Sequence, residues 1–434
     1  MKKHEKSLAY FTIIFFLTSI SLIFYCLVKI KIYDCVIIGG GLSGLSAAYE
    51  LRNKYTIILE KENRIGGRVF TKIKNEITFD LGAIFGYDLK TVPFEFQNST
   101  IIEETGPVGI FFKNKFFIGQ TPVDCMRQIC TNKIILNEIL DFQNKKTTFL
   151  SNEAYEILNA FFKVIHPGEM KEYIAERQAD AFEKYNTFHF EKGNQELIEA
   201  FKKKIHSEIL LKSEVLSVLE ENGIVETTYK CNGSINKILS RCAIVTPPAP
   251  ITKKIVTKIQ PTTSAFLAKV KYGSFIFAEI ALKNAAFPDF SYIVTPESGS
   301  NAILKQKTKI PGIELFVVCY GDKQSNEMSN FSDKIIYDKS LEILKRIGSF
   351  DNACAVDSEI IRWGNGGTII SGEVYNNFSM NCYTASPRVF LAGDYLFVDR
   401  LNEVFPYGMG AAISSGRTAA ALVHKHLKYL KLKQ

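Results

Sequence analysis

A chain that runs Tyr33-Asp34-Cys35-Val36-Ile37-Ile38 straight into Gly39-Gly40-Gly41-Leu42-Ser43-Gly44 has few folds open to it. The β-branched run reads as a buried strand, and Leu45-Ser46-Ala47-Ala48-Tyr49-Glu50-Leu51 reads as the helix behind it. A second apolar run, Tyr55 to Leu59, ends on Glu60. Strand, Gly-x-Gly-x-x-Gly turn, helix and acid-tipped strand, at this spacing, form the dinucleotide signature of a βαβ unit. Gly39 permits the tight turn, Gly41 lets backbone approach a pyrophosphate, and Gly44 lets the helix pack closely on the strand. Leu42 and Ser43 open the helix, where free N–H groups and the positive dipole end face phosphate. Glu60 stands where a carboxylate accepts hydrogen bonds from an adenosine ribose, and Lys61 beside it joins the cofactor-binding set.

Arg64-Ile65-Gly66-Gly67-Arg68-Val69-Phe70-Thr71 follows. It resembles the Gly-Gly-Arg doublet of the flavin amine oxidase superfamily, which includes monoamine and polyamine oxidases, protoporphyrinogen oxidases and phytoene-desaturase-like enzymes. That resemblance implies FAD rather than a nicotinamide cofactor. Gly66 and Gly67 would give a second backbone approach to the pyrophosphate, with Arg68 a fixed cation beside it. Asp80-Leu81-Gly82-Ala83 resembles the family turn whose backbone at Gly82 and Ala83 lies against the flavin, where a side chain would collide with the ring. Val215 matches a valine whose backbone pairs with the adenine edge. Arg388 to Asp394 resembles the last cofactor strand, with Asp394 on the ribityl hydroxyls. Tyr407 to Ala420 resembles the helix that starts under the flavin, so Met409 and Ala412 enter the cofactor set. No cysteine stands at the family's flavin-attachment position, which implies non-covalent FAD.

The resemblance thins on the substrate side. A lysine near the flavin N5 is implied ten residues before an aromatic, and counting back from Phe287 lands on Phe277. The second cage tyrosine aligns with Gly408, with Tyr407 one residue away, and the helix acid aligns with Ser414. Trp363 and Tyr407 are the substrate-side candidates, and the sequence assigns no catalytic residue. Nine cysteines at irregular spacing give neither a disulfide framework nor a zinc site, and six scattered histidines indicate no hydrolytic catalysis.

The fold class expected is α/β: a discontinuous Rossmann-like FAD-binding domain, an α+β substrate domain and an N-terminal transmembrane helix. Leu8 to Val28 is an uncharged run long enough to span a bilayer and longer than a typical signal-peptide core, so it reads as an uncleaved single-pass anchor. The flanking lysines differ too little to settle the side on which the enzyme lies. Four glycosylation sequons, at Asn98, Asn232, Asn330 and Asn377, do not settle it either. The expected parts are 8–28 anchor, 32–90, 188–250 and 356–430 FAD-binding domain, and 91–187 and 251–355 substrate domain. Ala154 to Val164 reads as an amphipathic helix, and Phe275 to Leu282 and Leu315 to Tyr320 as strands. Ile209 to Val218 resembles the family strand that carries the Val215 position, and Cys242 to Pro248 looks like the strand that closes the cofactor sheet and hands over to the substrate domain. A net charge of +8 is spread along the chain, with Lys202-Lys203-Lys204 its longest run, so no nucleic-acid surface is indicated.

The expected function is an FAD-dependent oxidoreductase that removes a hydride equivalent from an amine or a lipophilic small molecule, with oxygen or a quinone as acceptor. Two other readings stand beside it: a flavin-dependent isomerase, and a degenerate membrane-anchored flavoprotein with a binding role.

Overall fold

The computed structural model describes residues 31–86, 92–94, 100–104, 106–130, 132–164, 166–182, 187–397 and 408–432. The run Leu8–Val28, the sequon at Asn98 and Tyr407 lie outside the described residues. Among the described residues no helix is long and apolar enough to cross a membrane, the cysteines are free thiols, and no cluster suits a metal ion.

Two sheets carry the architecture. In the first, five strands run parallel in the order Glu208–Leu210, Thr56–Leu59, Ile32–Ile38, Ser234–Val245, Val389–Leu391. All four residues of Thr56–Leu59 are buried, as a strand covered on both faces requires. Helix Leu42–Glu50 covers one face and crosses helix Gly408–Leu432 closely. At the crossing Ser46 Oγ donates to the Ile413 carbonyl at 2.8 Å, and a Cβ on Gly416 would run into the Ser43 carbonyl.

The same sheet continues as an antiparallel meander, Ser213–Glu221, Ile224–Cys231 and Ser234–Val245. Three expectations change here. The single strand expected over Ile209–Val218 is two, because the chain turns at Lys212, which takes φ +52°. The Lys212 and Ser213 N–H groups donate to the Glu62 and Glu60 carbonyls, so the turn is fixed from the first βαβ unit. Cys242–Val245 does not close the sheet. It lies inside it, between Ile32–Ile38 and Val389–Leu391. The boundary expected at 356 falls inside a strand of the other sheet, and the chain returns to the first sheet only at Thr384–Ser386.

The second sheet has seven strands: Ala355–Ile369, Lys271–Lys283, Ile313–Gly321, Ala302–Lys307, Tyr292–Val294, Val108–Phe112 and Lys115–Gly119. Its long strand Lys271–Lys283 shows the two-residue period of a sheet between two layers. Ile276, Ala278, Ile280 and Leu282 pack with Ile336, Leu341 and Leu344 of helix Asp333–Ile347. Phe275 and Phe277 point the other way, into a cavity, while Ala281 meets Ile77, Phe79 and Leu81. Helix Asn152–Phe162, capped by the Ser151 hydroxyl, buries Ile157, Leu158, Phe161 and Phe162 in the core.

Candidate cofactor and substrate cavity

One cavity of about 1190 Å³ extends from the glycine turn after the first strand to the aromatic face of the second sheet. Gly39, Gly41, Leu42, Ser43, Glu60, Lys61, Gly66, Gly67, Arg68, Gly82, Ala83, Val215, Asp394, Met409 and Ala412 all line it, and so does Trp363. Of the expected cofactor set only Gly44 stands back from the wall. Its job is steric: a Cβ there would run into the Gly39 carbonyl and crowd Ile37 at 3.3 Å. Gly39 takes φ +100°, a left-handed value that lets the strand turn into the helix.

The cradle is held by backbone. Gly66 N–H donates to the Gly40 carbonyl at 2.8 Å, which lays the Gly66–Gly67 turn alongside Gly41. A Cβ on Gly67, itself at φ +56°, would sit 3.2 Å from the Gly41 Cα, so both chains present bare backbone to whatever lies between them. Glu60 is buried. One oxygen accepts from Gly40 N–H at 2.6 Å and the other from Glu62 N–H at 2.9 Å. A carboxylate has about four acceptor positions, so two remain for ligand hydroxyls. Lys61 is exposed at the rim and pairs with Glu62.

The two arginines of the doublet do different work. Arg64 donates to the Gly67 carbonyl at 2.8 Å and the Val69 carbonyl at 3.1 Å and lies over the Phe70 ring, which locks the glycine turn. Arg68 forms a two-pronged pair with buried Asp394, at 2.9 and 2.7 Å, and donates to the Gly366 carbonyl at 3.0 Å. Burial works to lower the Arg68 pKa, but Asp394 outweighs it and the net shift is upward. The expected partners of Arg68 and Asp394 were parts of a ligand. The structure also pairs them with each other, and through the pair the Gly66–Gly67 turn, the turn after strand Val389–Leu391 and strand Ala355–Ile369 at Gly366 are tied into one corner.

Under Gly82 and Ala83 lies a polar knot. Asp80 Oδ1 accepts from Thr71 Oγ1 at 2.5 Å and from Asn194 N–H at 2.9 Å, while Asn194 Nδ2 donates to the Ala83 and Ile84 carbonyls. Burial pushes Asp80 up to about 7, against the pull of Thr71 and Asn194. Fully buried Glu279 faces the same knot, and neither of its oxygens closes a hydrogen bond. Burial pushes its pKa well above the carboxylate range, and the Asp80 charge pushes the same way. The nearby Asp80 N–H draws it down without closing a bond. A Cβ on Gly82 would run into the Arg68 carbonyl. The small residue expected there for a ring is therefore required by the protein's own backbone first.

At the other end the wall is mostly apolar. Phe275 and Phe277 stack at 5.3 Å between ring centroids, and Val164, Pro167 and Leu304 complete that side. Trp363 lines the cavity while its Nε1 donates to the Leu81 carbonyl at 2.8 Å, so it also holds the turn before Gly82. Phe277 stands on the wall, at the position where the resemblance implies a lysine. Helix Gly408–Leu432 begins at the cavity, with Gly408, Met409 and Gly410 on its wall. Ser414, aligned with the family's helix acid, is buried and does not line the cavity, whereas Ser415 Oγ accepts from Gly393 N–H at 2.9 Å and ties the Asp394 turn to this helix. Sequence reasoning missed the Asp80–Asn194 knot, Phe275 and the pair Arg177 and Asp180, which also line the far end. The Gly193-Asn194 turn before a helix was the available signal for the knot. For Arg177 and Asp180 there was none.

Comparison with known proteins gives a consistent picture. The family model for flavin containing amine oxidoreductase matches residues 139–424, and that for an NAD(P)-binding Rossmann-like domain matches residues 37–87. A flavin-containing amine oxidase of Oncorhynchus mykiss is 47% identical over 57 residues, a stretch that covers 12% of this chain and 11% of that protein's length. Wild-type putrescine oxidase bound to putrescine superposes with a TM-score of 0.71 at 12% identity, covering 92% of this chain and 100% of that one. Cyclohexylamine oxidase from Brevibacterium oxydans IH-35A gives 0.71 at 13% identity, over 92% and 100% of the two chains. At such identities the two structures show the shared fold.

Proposed function

The chain belongs to the flavin containing amine oxidoreductases, and from that premise we propose that it removes a hydride equivalent from a carbon of an amine or of a lipophilic small molecule lodged against the wall that Phe277 and Trp363 form. The enzyme is a flavin oxidoreductase, and in this reading its cofactor is FAD, held without a covalent bond. The residues present fit that group. Gly41 and Gly67 offer bare backbone to a pyrophosphate, Glu60 keeps acceptor positions for a ribose, and Val215 is brought beside Glu60 by the Lys212–Ser213 turn. FAD in this cradle supplies the two-electron acceptor.

The observation that carries the reading is continuity: one cavity joins the bare-backbone cradle to an apolar aromatic end. Phe275, Phe277 and Leu304 make most of that end apolar and help to exclude water from it. The first turn of helix Gly408–Leu432 aims backbone N–H groups at the cavity, where they stabilise negative charge. Oxygen or a quinone takes the electrons onward. The run Leu8–Val28 anchors the enzyme to a membrane as a single span, which suits a lipophilic substrate.

Purified full-length protein should be yellow, and acid precipitation should release FAD. Anaerobic bleaching against a panel of amines, polyamines and lipophilic reductants then identifies the substrate class. A colourless protein that takes up NAD instead would overturn the assignment. Alkaline carbonate extraction tests the anchor, and protein released to the supernatant would remove it.

A further inference from the structure

Of the cations on the cavity wall, Lys61 pairs with Glu62, Arg64 is spent on the glycine-turn carbonyls and Arg68 on Asp394. Lys254 stands on the short helix Ala249–Ile255, beside Pro247 and Ile251 at the cradle end. Arg177 is different. It comes from the short helix Ala175–Gln178 and enters the apolar end of the cavity, where its side chain is 22% exposed. Its ion-pair contact among the described residues is Asp180 Oδ2 at 3.7 Å, beyond hydrogen-bond reach, and its guanidinium closes no hydrogen bond there. A largely dehydrated guanidinium with its donors unspent is costly unless something in the cavity takes them.

Asp180 is not an equivalent binding group. His166 Nε2 lies 2.8 Å from its Oδ2, and His166 is fully buried, stacked at 3.9 Å on the Phe162 ring and packed against Tyr173. Burial lowers the His166 pKa, while Asp180 draws it up. The carboxylate is thus fixed from behind by a rigid aromatic stack. It sits 3.7 Å from one terminal nitrogen of the guanidinium without closing a hydrogen bond, and the fork of N–H groups belongs to a residue on the cavity wall. That fork fits a carboxylate, which two parallel N–H groups grip together.

We propose that Arg177 is a specificity-determining residue that anchors a carboxylate on the substrate, with Asp180 as its positioning residue. The substrate class is a small organic acid with an apolar or aromatic body, the acid at the Arg177 end and the oxidised carbon toward Trp363. This rests on the flavin oxidoreductase reading and narrows it from amines and neutral lipophiles to molecules that also carry an anion.

The holoprotein can be titrated with benzoate, phenylacetate and 3-phenylpropionate, and with 3-phenylpropionamide as the neutral control. Two readouts are used, the flavin absorbance change and calorimetry. At least one acid should bind the wild type and the amide about tenfold or more weaker. Arg177→Met should weaken that acid about tenfold to a hundredfold, leave the amide unchanged and retain flavin, while Arg177→Lys should recover part of the loss. Asp180→Asn should shrink the acid-to-amide ratio, which a merely structural role would not move. Unchanged acid affinity in Arg177→Met, an amide that binds as well as its acid, or no acid binding to the wild type would each overturn the proposal. A protein without flavin would break the functional reading instead, and calorimetry would still report on Arg177.

Discussion

The two ends of the cavity are built from different materials. At the cradle, function rests on where the backbone is: Gly39, Gly41, Gly66 and Gly67 contribute no side chain, and the polar groups that steady them are bonded within the protein. At the aromatic end it rests on side chains, namely Phe275, Phe277, Trp363 and Arg177, delivered by strands and a helix that are far apart in the chain. A backbone-built site tolerates little change: a Cβ on Gly66 would run into the Val69 carbonyl, one on Gly67 would crowd the Gly41 Cα at 3.2 Å, and one on Gly39 would run into the Thr246 side chain. A side-chain-built site can be altered one residue at a time while the scaffold stands.

That contrast can be broken by mutation. Gly44→Val puts its Cβ into the Gly39 carbonyl, so overpacking should cost about 3 kcal/mol or more and abolish flavin retention. Denaturant unfolding and flavin content would show it, and a stable, yellow variant would end the idea of an intolerant cradle. Arg68→Met leaves Asp394 buried without its partner. Fully buried pairs lose about 3–5 kcal/mol this way, but Arg68 is 35% exposed, so about 2 kcal/mol is expected in the same assay.

Asp80 offers a test at the junction of the two ends. Its pKa rises from 3.8 to about 7 on folding, so between those values the native state holds a proton that the unfolded chain releases. Stability should therefore fall as pH rises through that window and level off above it. Glu279 adds a slope of the same sign that extends higher. Between about pH 5 and about pH 8 the wild type should lose about 2 kcal/mol more than Asp80→Asn, which keeps only the Glu279 part. Equal slopes in urea titrations would show that Asp80 is not the group responsible. The smallest effect belongs to the aromatic end. Phe277→Leu should cost about 1 kcal/mol, keep its flavin and change substrate preference. Loss of flavin there would erase the distinction between the two ends.

The same contrast explains what the sequence disclosed. Gly39-x-Gly41-x-x-Gly44, Glu60 and Gly66-Gly67 are legible because the physical demand falls on residue type at fixed spacing in one continuous segment. All of them except Gly44 reach the wall, and Gly44 acts one layer behind it. The Arg68–Asp394 pair was not legible as a pair, since 326 positions separate two residues that each made sense as a ligand contact. The strand expected over Ile209–Val218 hid a turn because Leu211 and Lys212 carry no glycine or proline, and the bonds that bend the chain come from Glu60 and Glu62. The boundary expected at 356 failed for a similar reason. Ala355–Ile369 carries glycines at 364, 366 and 367, a residue type that weakens strands, yet it pairs along nearly all of Lys271–Lys283. Arg177 and Asp180 lie in a stretch with no periodic pattern, and only the fold brings them to the wall.

The interior position of Ser234–Val245 bears on how the chain is made. Ile32–Ile38 leaves the ribosome early, but the strand that flanks it is translated much later: the bond from Thr246 Oγ1 to the Ile38 carbonyl spans 208 positions. Val389–Leu391, on the far side of that strand, comes later still. Until then the inner edge of a strongly apolar strand is open to any other extended chain. Nascent chains should therefore pass through a long vulnerable interval and depend on chaperones until the last strand docks. Chains halted before Thr384 should stay protease-sensitive and fail to capture flavin even though the entire amino-terminal glycine turn has been synthesised.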